Sequence, residues 1–480
     1  MQKTIYIIIC LVALAFASCN TEQPTESSIS FSNDTIRFDT VFTETGSTMK
    51  MFNVYNKTGK TITINKISWQ YGESFMLNVD GETNLDRLRN LQLPAHDSLF
   101  VFLKTNPNKQ SSNNAVLLTD AIIFDTDDAV KQVVVEAYAQ NVAILRNATY
   151  YVPAHMTATK PYHVFDTLIF TTDVEIDPGT RFYMHSGSVV FCLGNVQANG
   201  TTEQPIIFRG DRFDELFKDV PYDYASGNWF GIFLLQPQDS TARTYSFNNT
   251  IIRSAAVGLY AQAPMASQRP QLKILNSSIY NMTIYGVAIQ NMDALIANSE
   301  ISNCSANCVY LAGGKHTLIH NTIASYFNQK DAPALHNVGK EDVSAVFINN
   351  ISKNRLRTES YFYNNIIAGA RTNNLTIASP FVAEYKGEFK NNYLINDSIE
   401  YKQFENNIFG TREDTVFVST MFVRDEQQYY DFHLDSLSPA RHIAAPAYTL
   451  LYPLDREGNQ RPADEPADAG CYQSYYPESE

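Results

Sequence analysis

The sequence predicts an all-β protein with three parts: an antiparallel β-sandwich over residues 28–142, a right-handed parallel β-helix over 145–425 and a C-terminal cap over 426–480. In the first part, apolar residues alternate with polar ones in short runs separated by Asn, Gly and Pro, which is typical of sandwich strands. In the second part, Asn-marked segments recur with a base period near 22 residues, which is typical of stacked coils. The 28 Tyr and 29 Phe residues also favour strands.

Composition and charge limit the possible functions. The chain has 480 residues, more than the roughly 100–200 expected of one domain, and 44% of them are hydrophobic. It can therefore fill a core. The formal net charge is −14, and no run of Lys or Arg offsets it. Because phosphate binding needs a basic patch, we expect no nucleic-acid partner.

The N-terminus has the features of an export signal. Lys3 precedes an apolar stretch over residues 5–16, which is too short to span a bilayer and is typical of a signal peptide. The stretch ends in Ala17-Ser18-Cys19, which resembles a bacterial lipobox. The resemblance implies a lipoprotein signal peptide over 1–19, acylation of Cys19, a tether over 20–27, and anchoring to the outer membrane on its periplasmic side or at the cell surface. Phe16 stands where the pattern usually has Leu, so an ordinary signal peptide cut near Ala17 remains the alternative.

Four other cysteines follow the signal peptide and lipobox: Cys192, Cys304, Cys308 and Cys471. Their scattered positions do not form a disulfide framework. Cys304 and Cys308 lack a second pair or nearby histidines at zinc-ligand spacing. We expect all four to be buried and to pack as small apolar residues.

Strands of the sandwich are predicted at 36–39, 41–42, 51–55, 61–67, 99–103, 121–124 and 130–138, with Ile62 and Ile64 on one face. The runs FDTVFTETGS, NVYNKTGKTITINKI and LQLPAHDSLFVFLKTNP resemble Ig-like domains of the HYDIN/ASH type. The resemblance covers about 110 residues and implies a spacer or docking module. We expect a spacer that lifts the β-helix off the membrane.

Eight segments mark the predicted coils, and their starts lie 28, 22, 22, 28, 16, 26 and 15 positions apart. Each has an Asn or small residue at a bend, where Asn tolerates left-handed backbone angles better than most residues. Coils stack about 4.8 Å apart, so side-chain amides can bond from coil to coil. We therefore expect Asn276, Asn298 and Asn321 to lie one above another. The segments begin at Phe247, Leu275, Ala297, Ile319, Phe347, Tyr363, Phe389 and Phe404.

Further motifs resemble bacterial right-handed parallel β-helix repeat proteins. They are VEIDPGT from Val174, GNVQANGT from Gly194, PIIF from Pro205 and NWFGI from Asn228. The segment from Asp431 to Tyr472 resembles the closing segment of many secreted β-helix proteins and implies a cap whose Asp and Arg residues serve turns and internal ion pairs. This fold hosts lyases, hydrolases, esterases, adhesins and passive stalks, so the resemblance does not determine the chemistry.

Neither the Lys/Arg and calcium-site pattern of a lyase nor the stacked Asp pairs of a hydrolase can be mapped onto the chain. Arg253 and Lys273 could neutralise a uronate. The insertion over 210–224 mixes carboxylates, which bond hydroxyls or calcium, with aromatic rings, which stack on sugars. The alternative is a short amphipathic helix or a lid packed on the coils. The candidate ligand-binding residues are Asp211, Arg212, Asp214, Glu215, Asp219, Tyr222, Asp223, Tyr224 and Trp229.

A second insertion, over 328–342, contains His336 and lies near His316 and His320. No metal-ligand spacing emerges, so no metal site is expected. The first hypothesis is a β-helix that binds an extended polymer, a glycan above all, without catalytic residues. The second is a polysaccharide lyase or glycoside hydrolase with a diverged site beside the 210–224 insertion, for which calcium is a possible cofactor. The third is a structural stalk or adhesin, and a pure stalk would have no groove.

Overall fold

The computed structural model describes residues 29–217, 220–238, 241–265, 269–326, 343–350, 356–379, 385–397, 399, 403–421 and 430–476. Cys19, the predicted signal peptide and the tether lie outside the described residues, as do Asp219 and the loop with His336. The chain forms two compact units, which divide between Asn141 and Val142. Among the described helices, none has the length and apolar character needed to cross a membrane.

The first unit is a β-sandwich. One sheet has the order β1-β3-β7-β5 and the other β2-β9-β8-β4-β6, and the neighbours are antiparallel except for the parallel pair β2–β9. Ile62 and Ile64 are both buried, as their alternation predicts. The strands are β1 Ile29–Phe31, β2 Thr35–Phe42, β3 Lys50–Asn56, β4 Ile62–Trp69, β5 Phe75–Val79, β6 Arg89–Leu93, β7 Ser98–Thr105, β8 Val116–Thr126 and β9 Val130–Gln140, with a 3-10 turn at Leu85–Arg87.

The second unit is a parallel β-helix with three ladders of parallel strands, which we call faces 1, 2 and 3. Its right-handed sense follows the rule for parallel β-crossovers. The helix opens with β10 Ala143–Tyr150 and β12 Tyr162–Phe170. The first half of β12 pairs with face 1 and the second half with face 2.

Face 1 consists of β14 Arg181–Met184, β17 Ile206–Gly210, β22 Thr250–Arg253, β25 Ser278–Met282, β28 Glu300–Cys304, β31 Thr322–Ser325, β34 Ile366–Gly369, β37 Tyr393–Ile395 and β39 Ile408–Gly410. Face 2 consists of β15 Val189–Cys192, β20 Trp229–Leu235, β23 Ala255–Gln262, β26 Tyr285–Gln290, β29 Val309–Ala312, β32 Val346–Asn349 and β35 Leu375–Ala378. Face 3 consists of β11 Ala154–Met156, β13 Val174–Ile176, β16 Val196–Asn199, β21 Thr244–Asn248, β24 Gln271–Leu275, β27 Asp293–Ala297, β30 Gly314–Ile319, β33 Thr358–Tyr363, β36 Gly387–Lys390 and β38 Phe404–Glu405.

Residues in the left-handed conformation mark the corner between faces 3 and 1. Asn276 and Asn298 stack as predicted, with the Asn298 Nδ2 donating to the Asn276 Oδ1 over 2.8 Å. Asn321 does not belong to this column, because His320 occupies the left-handed position in its coil. The prediction for Asn321 is therefore wrong by one residue. The column consists of Asn249, Asn276, Asn298, His320, Asn364, Asn391 and Asn406, with φ between 45° and 57°.

The neighbouring column forms a buried amide ladder. Asn321 Nδ2 donates to Asn365 Oδ1, Asn365 Nδ2 to Asn392 Oδ1, and Asn392 Nδ2 to Asn407 Oδ1, over 2.9 to 3.0 Å. Ser299 extends the ladder, because its backbone N–H donates to Asn321 Oδ1. The predicted coil-to-coil amide bonding therefore exists. The segment beginning at Phe347 is the exception, because it lies on β32 of face 2 and not at this corner.

The interior of the β-helix is a continuous apolar core, in which aromatic rings stack from coil to coil, as Phe389 does on Phe404 at 4.3 Å. Cys192, Cys304, Cys308 and Cys471 are free thiols and are buried, as expected.

The C-terminal segment, residues 430–476, lies along the side of the coils. Arg461 donates to the Asn298 Oδ1 (2.9 Å), and the Gly470 N–H donates to the Asn364 carbonyl (2.8 Å). As expected, its Asp455 and Asp468 accept hydrogen bonds within turns of the segment. The segment contains the helix α1 Pro446–Thr449, and its β41 Asp431–Leu434 pairs with β40 Phe417–Ser419.

Candidate functional site

Outward-facing side chains of face 1 stack in one column along the β-helix. The strand register places Tyr183 beside Arg209, Arg253 beside Tyr280, and Tyr280 beside Ser302. Coil stacking therefore lines up polar side chains that lie 20 to 30 positions apart in the sequence. This column forms the floor of the candidate site.

The insertion between β17 and β20 packs onto this column. It contains the hairpin strands β18 Glu215–Phe217 and β19 Val220–Pro221 and a 3-10 turn at Tyr222–Tyr224. The turn brings Asp223 between two arginines: its Oδ1 lies 2.7 Å from Arg209 Nη2 and its Oδ2 lies 2.9 Å from Arg253 Nη2. Arg253 also donates to the Tyr280 hydroxyl over 3.0 Å. The ion pairs thus connect the insertion to a side chain of the next coil.

A pocket of about 270 Å³ lies beside this network. Its walls come from three parts of the chain that are far apart in sequence: the insertion, strands β25 and β28, and the C-terminal segment. Four tyrosines and charged side chains of both signs face it. The lining residues are Tyr224, Ser278, Tyr280, Asn281, Glu300, Ser302, Asn303, Tyr430, Asp431, Phe432, His433, Arg456 and Tyr472.

Hydrogen bonds hold the acidic side of the pocket in place. Glu300 accepts from the Tyr472 hydroxyl (2.5 Å) and from the Ser302 hydroxyl (2.6 Å), one on each oxygen. Burial and the charge of Glu300 raise the pKa of Tyr472, so this hydroxyl remains a donor at neutral pH. Glu300 is therefore an oriented carboxylate at the wall.

The pocket also has a cation in its lining, His433, whose ring packs against the Tyr472 ring at 4.1 Å. His433 Nδ1 lies 2.6 Å from Asp431 Oδ1, and its Nε2 lies 3.2 Å from Glu457 Oε2. The hydrogen bond to Asp431, assisted by Glu457, raises the pKa of His433 to about 9. The imidazole is thus positively charged at neutral pH, and the pocket can offer both donors and acceptors to a ligand rich in hydroxyl groups.

Of the nine candidate residues named from the sequence, Tyr224 lines the pocket. Asp223 lies behind it in the arginine network, and Arg212 pairs with Asp214 while its guanidinium group covers the Tyr222 ring at 3.8 Å. Asp211 contacts two histidines outside the pocket. Glu215 is exposed at the start of β18.

Trp229 corrects the sequence-based prediction. Its side chain is 1% exposed within the β-helix core, and its Nε1 donates to the Arg253 carbonyl over 3.0 Å. It cannot stack on a sugar ring. Lys273 lies on face 3 and Arg253 on face 1, so these two cations do not form a common site.

Sequence reasoning missed Tyr280 and Glu300, although the repeat alignment places both at outward positions two to four residues after a left-handed Asn. It also missed His433, Arg456 and Tyr472. Their local sequence holds no such signal, because Tyr472 meets Glu300 across 172 positions.

The fold and this pocket define a parallel β-helix protein with a pocket on its side. No protein-family model matches the chain, and no curated protein matches it. Among solved structures, the Vibrio cholerae VesB protease aligns at 10% identity with a TM-score of 0.18, covering 24% of this chain and 32% of the protease. The chain thus spans about a third of the protease it matches. The ASH/PapD-like domain 7 of human CEP192 aligns at 11% identity with a TM-score of 0.17, covering 24% of this chain and 84% of that domain. Likenesses this low carry no argument about function.

Proposed function

We propose that this protein is an exported lipoprotein, anchored to the outer membrane through Cys19, whose β-helix binds an extended glycan at the pocket beside face 1. The pocket of about 270 Å³ between β25, β28 and the C-terminal segment is the observation that carries the binding proposal. A pure stalk predicts no such groove. The N-terminal sandwich acts as the spacer between the membrane and the β-helix.

The lining chemistry favours a sugar. Tyrosine rings bury apolar area against the faces of sugar rings while their hydroxyls keep polar partners. Tyr224 and Tyr280 offer such rings, and Glu300 and Arg456 offer an acceptor and donors for hydroxyl groups. Because the same face continues through neighbouring coils, a chain of sugars can extend along the β-helix beyond the pocket.

A glycan array followed by calorimetry tests this proposal. A glycan that binds the wild-type protein should bind Tyr280→Ala at least about tenfold more weakly, since the variant removes one wall of the pocket. Tyr260→Ala is the matched control: Tyr260 is a partly buried tyrosine on face 2 whose hydroxyl accepts from Gln290 over 2.7 Å. Equal affinities for wild type and Tyr280→Ala, or an equal loss in both variants, would contradict the assignment of the pocket.

Polysaccharide lyase or glycoside hydrolase activity is the second candidate. Four charged or titratable residues around one pocket favour it: Glu300, Asp431, His433 and Arg456. Groups that can donate a proton and groups that can accept one are then within reach of a bound sugar. Incubation of bound glycans with and without calcium, followed by an assay for unsaturated products and new reducing ends, tests it. Products that form with wild type but not with Glu300→Gln would support an enzyme, whereas binding without product would support the first candidate.

The lipid anchor has its own test. Mass spectrometry of the protein purified from bacterial membranes should find a mature chain that begins at an acylated Cys19. Cys19→Ser should leave the protein unacylated and release it from the membrane fraction. An unacylated wild-type chain cut near Ala17 would support the ordinary signal peptide instead.

A further inference from the structure

Two histidines and one carboxylate meet at the first coils of face 1, away from the pocket. His163 lies on β12, His185 directly follows β14, and Asp211 directly follows β17. Backbone pairing sets their positions, because the His185 N–H donates to the Val164 carbonyl and the Asp211 N–H to the Met184 carbonyl. Each of three successive coils therefore contributes one side chain to the same place.

The donor atoms converge closely. Asp211 Oδ2 lies 2.9 Å from His163 Nε2 and 2.6 Å from His185 Nδ1. Among the residues that the structure describes, these three form the group of His, Cys, Asp and Glu whose potential ligand atoms all lie within 4.8 Å of one another. A tetrahedral ion bound at about 2.0–2.2 Å by all three atoms would replace the two hydrogen bonds and hold the nitrogens about 3.3–3.6 Å from the Asp211 oxygen.

The surroundings leave one side open. The side chains of His163 and Asp211 are 4% and 15% exposed, whereas that of His185 is 49% exposed. The Phe165 ring packs against both imidazoles, with centroid distances of 4.3 and 4.6 Å, and limits their movement. Arg146 lies over the Phe165 ring, with its guanidinium carbon 3.6 Å from the ring centroid.

The donor set matches a particular class of ion. Two imidazole nitrogens and one carboxylate oxygen suit zinc and neighbouring first-row divalent ions, and three protein ligands leave a position for water or a ligand. We propose that His163, His185 and Asp211 bind one divalent transition-metal ion, with its open position toward solvent beside His185.

Local sequence does not reveal this site. Residues 163 and 185 are separated by 22 positions and 185 and 211 by 26, so no short metal-binding motif appears. The sequence-based expectation of no metal site rested on such motifs. The coil stacking brings the three residues together.

Calorimetric titration of the full chain with zinc and cobalt tests the proposal. The protein is purified without a histidine tag and stripped with a chelator. We expect one ion per chain, a visible absorption band from bound cobalt, and a higher midpoint of thermal unfolding with metal than without. His185→Ala, which alters an exposed side chain, and Asp211→Asn should each weaken zinc binding at least about tenfold.

His155→Ala is the matched control, because His155 is also an exposed histidine paired with a carboxylate, at 2.7 Å from Asp177. This variant should bind zinc as the wild type does. The proposal is overturned if the wild type binds no zinc, if His185→Ala binds as tightly as wild type, or if His155→Ala loses the ion as well. Circular dichroism of each metal-free variant shows whether a loss of binding comes from a loss of fold.

Discussion

Asn365 and Asn392 lie 27 positions apart in sequence, yet the Asn365 Nδ2 donates to the Asn392 Oδ1 over 3.0 Å inside the β-helix. Asn365 also donates to the Leu318 carbonyl and accepts from Asn321. One side chain thus connects three coils and satisfies buried polar groups of the coils on both sides of its own. An unpaired buried polar group costs about 1–3 kcal/mol of folding free energy. The ladder therefore stabilises the stacked coils by keeping these groups paired.

The first prediction concerns this ladder. Asn365→Ala should lower the free energy of unfolding by about 3 kcal/mol, because it leaves the Asn321 N–H and the Leu318 carbonyl without their partner. The midpoint of thermal unfolding measures the loss. Asn199→Ala, at an exposed Asn on β16 of face 3, is the control and should stay within about 0.5 kcal/mol of wild type. Equal midpoints for the two variants would argue against a structural role of the ladder.

A second prediction concerns the arginine network beneath the pocket. Asp223→Ala should destabilise the protein by about 3 kcal/mol or more, because it leaves Arg209 and Arg253 mostly buried without their counter-ion. It should also weaken glycan binding, since Arg253 positions Tyr280. Thermal unfolding and calorimetry measure the two effects. Glu203→Ala, at an exposed glutamate, should change neither, and a variant at Asp223 that behaves like it would refute the role of the network.

The third prediction is a pH dependence. His433 has a pKa of about 9 in the folded protein, above the roughly 6.5 of an unfolded chain. Its stabilising contribution is therefore fully present below about pH 6.5, while Asp431 is ionised, and is lost as the pH rises through about 9. The difference in thermal midpoint between wild type and His433→Gln should shrink across this window. A difference that stays constant from about pH 6 to pH 10 would show that the charged imidazole does not stabilise the fold.

Much of the β-helix could be predicted because its corner depends on a local property, the tolerance of Asn for left-handed angles. Asn276 and Asn298 were aligned correctly for this reason. The backbone register is off by one where two Asn residues are adjacent: Asn248 is the backbone partner of Leu275, which leaves Asn249 beside Asn276, while the Asn276 Nδ2 donates to the Asn248 Oδ1 over 2.9 Å. The predicted register is also wrong at Asn349. This Asn ends β32, which belongs to face 2 and does not lead into the corner between faces 3 and 1.

The pocket could be predicted only in part. The mixture of aromatic and acidic residues over 210–224 predicts a binding site there, and Tyr224 of this insertion lines the pocket. The sequence does not show that Trp229 is buried, because an aromatic residue next to an insertion has the same local sequence pattern whether its side chain faces the core or solvent. The wall formed by His433 and Tyr472 depends on how the C-terminal segment returns along the coils, which no local pattern in the sequence encodes.

Chemical cross-linking tests the stacking of coils most directly. Lys273 and Leu295 are register partners on β24 and β27, and both side chains are partly exposed, so cysteines at these positions should be joined by a short bifunctional thiol reagent. Lys273 and Tyr361 lie three strands apart on the same face, about 14 Å, and cysteines there should remain unlinked. Mass spectrometry should find the 273–295 link and no 273–361 link. Linking of the distant pair in place of the near one would contradict the parallel β-helix described here.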